Sequence, residues 1–206
     1  MLNTIEKIEF YFDPICPWTW ITSRWITNVA RLRKFPIHYR ALSLKLLNQD
    51  AGNEPSKKIS DQLDISFRAL RVIEALAHEN SFEESAKFYA RFGVKRFVES
   101  IETSDELVQS ILQECGLSLW LDAMYDSGYD ASIRDSHDRA MNLSGPDIGS
   151  PVITIYPSQC SIFGPIVSPA PDGDEALRIF DATVELASSR SFFELKRGRK
   201  DPPNFS

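Results

Sequence analysis

Cys16 stands where the apolar run Phe10-Tyr11-Phe12-Asp13-Pro14-Ile15 meets Pro17-Trp18-Thr19-Trp20, a pattern that reads as a strand feeding a helix start. The first backbone N–H groups of a helix lack intrahelical partners and carry the positive end of the peptide dipoles, so they stabilise negative charge. A thiol in that position ionises at about 3.5–7.5 instead of about 8.5, and the expectation for Cys16 is a strongly lowered pKa. Pro17 suits the first helical position, because its missing N–H would have had no partner there. The bland alternative for any cysteine is a small buried hydrophobe. That reading fits Cys115, which shares an apolar helix side with Ile111 and Leu112.

The elements needed to hold Cys16 can be read from periodicity. Residues 5–12 form a strand pattern, and Ile21, Trp25, Ile26, Val29 and Leu32 recur at helical spacing, which predicts an amphipathic helix over 17–33. Pro36 breaks it, and residues 37–42 alternate as a second strand, parallel to the first through a right-handed crossover. Ligands of such sheets bind beyond the carboxyl ends of the strands. Cys16 lies there, as does the predicted loop 43–48 with Asn48, a residue type equally at home in a plain turn. Residues 60–143 read as helical throughout, with Gly93 as a stop, Thr103 and Glu106 as a capping box, Gly116 closing that helix and Asp130 as an N-cap. A hairpin follows, 151–156 turning through 157–159 into 160–163, and Asp172 opens a last helix.

Cys16-Pro17-Trp18-Thr19 after a Phe-Asp-Pro strand end resembles the active site of DsbA-like thioredoxin-fold proteins. With Trp20-Ile21-Thr22-Ser23-Arg24-Trp25, Gly149-Ser150-Pro151, Phe163-Gly164-Pro165 and Phe192-Phe193-Glu194-Leu195-Lys196-Arg197, nearly the whole chain resembles the actinobacterial mycothiol-dependent reductases or nitroreductases. The resemblance implies an α/β thioredoxin-like fold with an inserted all-helical subdomain. It makes residues 1–206 a single DsbA-like domain, with core 1–50 and 146–190, helical insertion 60–143 and C-terminal tail 191–206. It also implies that Ser150-Pro151 is the cis-proline loop facing the cysteine, where the Ser150 backbone can pair with an extended thiol ligand. Asn48 matches an asparagine of that family. With Pro151 beside Cys16 and the hairpin strand running away from it, Cys160 is expected about 15 Å or more from Cys16, beyond the about 7 Å between Cα atoms that a disulfide tolerates.

Thr19 is the departure: the relatives carry C-P-W-C. A dithiol site attacks with one sulfur and expels the product with the other, which threonine cannot do. Its hydroxyl can still hydrogen-bond a thiolate, worth about 1.5–3 kcal/mol. The implied cycle is monothiol: Cys16 takes up a mixed disulfide and an external low-molecular-weight thiol such as mycothiol removes it. Substrate-binding candidates are Pro17, Trp18, Ser150, Pro151 and Asn48, with Trp18 as either ligand surface or packing. The alternatives are a non-redox transferase or isomerase similar to the kappa-class glutathione transferases, which commonly carry serine at this position, and a non-catalytic degenerate copy.

Composition excludes several classes. The 206 residues, 43% hydrophobic and 25% charged, are those of an ordinary globular chain, and a net charge of −6 argues against nucleic acid or an anionic membrane as partner. Met1-Leu2-Asn3-Thr4-Ile5-Glu6-Lys7 leaves no room for a signal peptide before the first strand, which points to the cytoplasm. His38, His78 and His137 lack metal-ligand spacing, and there is no Gly-rich phosphate loop, so no metal and no tightly bound cofactor is expected. The basic tail Lys196, Arg197, Arg199 and Lys200 reads as a solvated segment. No oligomeric state is set by these features.

Overall fold

The structure is a computed structural model that describes residues 5–206; the part of the leader reading that rests on Met1-Leu2-Asn3-Thr4 lies outside them. A four-stranded sheet has the order β2-β1-β3-β4. β1 (Lys7–Phe12) pairs in parallel with β2 (Ile37–Ala41), Phe12 opposite Ala41, and antiparallel with β3 (Val152–Tyr156), Tyr11 opposite Val152. β4 (Cys160–Phe163) closes the hairpin with Cys160 opposite Ile155. α1 (Pro17–Arg33) makes the crossover between β1 and β2.

The side chains of β1 alternate between two cores. Ile8, Phe10 and Phe12 join the main cluster with Trp25, Ile26 and Tyr89, while Tyr11 points the other way to Leu42, Ala140 and Val152. Each of these large side chains contributes about 1.5–3 kcal/mol when buried. Trp25 is fully buried and its Nε1 donates to Ala176 O at 3.0 Å, tying α1 to α7 (Gly173–Ser188). α1 ends at Lys34, a left-handed residue whose N–H reaches Ala30 O at 2.7 Å.

The helical insertion contains α3 (Lys57–His78), α4 (Phe82–Gly93), α5 (Asp105–Glu114) and α6 (Asp130–Ser144), with short helical turns between them. Four local expectations are corrected. The predicted loop 43–48 is the start of α2 (Leu44–Asp50), capped by Ser43 Oγ on Leu46 N. Gly93 does not stop α4, which runs on into a π-helical turn (Val94–Val98). The glycine is needed because a Cβ there would fall inside the Trp20 indole. Ser104, in extended conformation, caps α5 on Leu107 N, and the adjacent Thr103 is buried without a partner. Asp130 is no cap: it begins α6 with its carboxylate held by Arg71 at 2.6 and 3.0 Å.

Candidate active site

Cys16 is the N-cap residue of α1, extended at φ −78° and ψ 111°, with Pro17 at the first helical position. Its own carbonyl accepts from Trp20 N at 3.1 Å, so the sulfur leaves the backbone where the helix begins. Across from it, the Ser150–Pro151 peptide bond is cis and Ser150 O accepts from the Cys16 thiol at 3.8 Å. Ser150 Oγ accepts from Thr19 Oγ1 at 2.9 Å and from Asp13 N at 3.1 Å. Thus the sequence-predicted Cys16, Pro17, Thr19, Ser150 and Pro151 meet in one place. Thr19 is fully buried, at 0% exposure, which leaves its hydroxyl free to serve only this cluster.

Two residues missed by sequence reasoning complete the site. Asp13, 1% exposed, accepts from Ile15 N at 3.1 Å and Leu44 N at 2.7 Å, and the Ser66 hydroxyl donates to it as well. One carboxylate therefore joins the Cys16 loop, the start of α2 and, through Ser66, the insertion helix α3. Asp13 was in view within Phe-Asp-Pro; Ser66, mid-helix between Ile65 and Phe67, carries no sequence signal. Burial pushes the Asp13 carboxyl up to about 6 against the pull of those three donors.

Cys16 is corrected in the same sense. Burial pushes its thiol above the ordinary cysteine value, opposed by hydrogen bonds from the Thr19 hydroxyl and the Thr19 and Trp18 N–H groups, and the nearby Asp13 charge adds to the rise. The helix-start donors anticipated from sequence are in place, but the enclosure and the acid outweigh them. The balance at Cys16 thus favours the protonated sulfur over the thiolate.

The remaining candidates take no part in this hydrogen-bonded cluster. Asn48 sits on α2, its amide donating to Leu44 O at 2.7 Å, in an open depression with Lys45, Gln49, Asn53 and Glu54. Trp18 is partly exposed on the first turn of α1; the basic residues of the tail are exposed as expected, and the Arg199 guanidinium lies over the Trp18 ring at 4.8 Å. Cys115 is buried with its sulfur on Lys87 O at 3.8 Å. Cys160 pairs with Ile155, at the opposite end of the sheet from Phe12, and all three cysteines are free. Asp50, His137 and Asp138 bring donor atoms within 4.8 Å of one another, a group the sequence scattered. Arg134 Nη1 already lies 2.7 Å from Asp50 and 3.5 Å from Asp138, so a guanidinium supplies the positive charge.

The family model of the Rv2466c-like proteins, described as mycothiol-dependent nitroreductase Rv2466c, matches residues 15–197. The chain belongs to this family. It is thereby a thiol-dependent oxidoreductase that works with a small-thiol co-substrate. Among curated relatives, the uncharacterized protein Rv2286c of Mycobacterium tuberculosis is 29% identical over 198 residues, covering 94% of this chain and 82% of that one. Two solved structures are similar at 15% identity: a probable DsbA oxidoreductase, SCO1869, from Streptomyces coelicolor (TM-score 0.57, covering 92% of this chain and 93% of that one), and the cytosolic disulfide reductase DsbM from Pseudomonas aeruginosa (TM-score 0.58, 87% and 99%), also described with GSH. They establish the DsbA-like thioredoxin fold. No helix among the described residues is long and apolar enough to cross a membrane.

Proposed function

We propose that this protein is a monothiol disulfide reductase using mycothiol in the cytoplasm. The observation that carries the reading is Thr19 buried against Ser150 in the position where a resolving sulfur would stand, with Cys115 and Cys160 located on other elements. In the cycle, the Cys16 thiolate attacks the mycothiol sulfur of a mixed disulfide, forming a Cys16–mycothiol disulfide and releasing the substrate thiolate, which takes up a proton. A second mycothiol thiolate then attacks the bound mycothiol sulfur. Mycothiol disulfide leaves and Cys16 is returned as thiolate, so the two electrons come from mycothiol.

The Thr19 hydroxyl, turning its one proton from Ser150 Oγ to the sulfur, and the first N–H groups of α1 stabilise the thiolate in both steps. Pro17, Trp18, Ser150 and Pro151 form the surface on which the thiol lies, extended beside the Ser150 backbone. The depression around Asn48, lined by amides and by Lys45 and Glu54, has the hydrogen-bonding groups suited to the hydroxyls of a sugar-bearing thiol. The mycothiol dependence of the family and the cytosolic description of DsbM support the location. Reduction of a mycothiol mixed disulfide is expected to require added mycothiol in the wild type and to vanish in Cys16→Ser. Turnover by the wild type without any added thiol would overturn the monothiol cycle.

A further inference from the structure

The tail beyond α7 carries Lys196, Arg197, Arg199 and Lys200 in a chain of net charge −6. It folds back onto α1. Phe205 packs 5.9 Å from Trp20 and 5.3 Å from Phe97, nearly parallel to the latter at 20°, and Asn204 N donates to Ser168 Oγ at 2.9 Å. On the other side of the basic run, Phe192 N bonds Ser189 O at 3.2 Å at the end of α7. Arg199 is therefore held between two anchored points, with its guanidinium 4.8 Å from the Trp18 ring.

A guanidinium seated over an indole is attracted to the ring face and still has N–H donors to offer a carboxylate. Among the described residues no carboxylate pairs with Arg199. Trp18 is two residues from Cys16 on the first turn of α1. The electrostatic setting makes a cation there consequential: Asp13 places negative charge beside Cys16, and the thiolate adds another when it forms. Without a positive group at the rim, such a site repels anions.

We propose that Arg199 is the anion anchor of the substrate site, selecting carboxylate-bearing disulfides and electrophiles over cationic ones. This rests on the reading of Cys16 as the nucleophile. Thiolate displacement of iodide from iodoacetate or iodoacetamide, each leaving an alkylated Cys16 and free iodide, reads the selection without the full cycle. Peptide mapping of the intact chain gives the two rates at Cys16. The iodoacetate-to-iodoacetamide ratio is expected to fall about two- to fivefold in Arg199→Gln at low ionic strength, the scale of one screened surface charge. Arg199→Lys should retain part of it, and added salt should lower the wild-type ratio but not that of Arg199→Gln. With glutathione disulfide and cystamine as anionic and cationic disulfides, adduct formation at Cys16 should show the same loss of preference. Equal ratios in wild type and Arg199→Gln would overturn the anchor while leaving the nucleophile standing. A Cys16 inert to both reagents would overturn the nucleophile reading itself, and the anchor with it.

Discussion

Glu9 and Asp13, four residues apart on the same run of chain, are both nearly sealed from water at 9% and 1% exposure, yet they are driven in opposite directions. Burial pushes both carboxyls up. At Glu9 this is overcome by the hydroxyls of Tyr11 (2.8 Å) and Tyr156 (2.9 Å) and the Lys7 ammonium (3.1 Å), which hold it below the usual glutamate value. At Asp13 the donors are a serine hydroxyl and two backbone N–H groups, and burial wins. At Asp13 neutral hydrogen bonds only soften the burial of the charge; at Glu9 two tyrosine hydroxyls together with a cation reverse the balance. The structural end of β1 is charge-compensated and the reactive end is not. The uncompensated acid is the one that also raises the Cys16 thiol.

The largest test of this contrast is at Asp13. Its carboxyl rises from 3.8 to about 6, so between those pH values the native state holds a proton that the unfolded chain has released. Stability therefore falls as pH rises across that window, by about 3 kcal/mol from this group alone. Denaturant unfolding of wild type and Asp13→Asn from pH 4 to 7 should show that slope in the wild type only. An identical slope in both proteins would break the comparison.

Glu9 should behave with the opposite sign and a smaller size. Its lowered pKa means its contribution is present above the unfolded glutamate value and lost as pH falls through the folded one. Glu9→Gln should cost about 1–2 kcal/mol at pH 7, and the gap to wild type should close under acid unfolding. A gap that widens in acid would contradict the assignment.

The smallest effects are on the thiol itself. Asp13→Asn removes the charge that raises Cys16 and should accelerate its alkylation at pH 8 by about threefold. Thr19→Val removes a donor to the thiolate and should slow it by about tenfold. A pH–rate profile of alkylation checks both. The wild-type rate should still be climbing at pH 9, and a plateau by pH 7 would show a lowered pKa.

The strand-to-helix joint was legible because it is local: Pro17 fixes the helix start, and the predicted span 17–33 coincides with α1 (Pro17–Arg33). The hairpin was legible for the same reason, two short strand-forming runs on either side of a Pro157 turn. What failed depended on partners distant in sequence. Whether Thr103 or Ser104 caps α5 is decided by which one adopts extended backbone, here Ser104 at φ −149° and ψ 167°. Asp130 looks like a cap until Arg71, 59 residues away, takes its carboxylate. The Cys16 thiol is raised by enclosure and by Asp13, neither of which helix-start spacing encodes. The tail has no periodicity, so its docking on Trp18 and Trp20 through Arg199 and Phe205 appears only in three dimensions.

In the proposed cycle one sulfur does the work and Thr19 leaves no internal partner to relieve it. Intact-mass analysis with peptide mapping, after incubation of the full chain with mycothiol disulfide, tests this most directly. A single mycothiol adduct on Cys16, stable until more thiol is added, is the expected result. A disulfide between Cys16 and Cys115 or Cys160, or no adduct at Cys16, would contradict it.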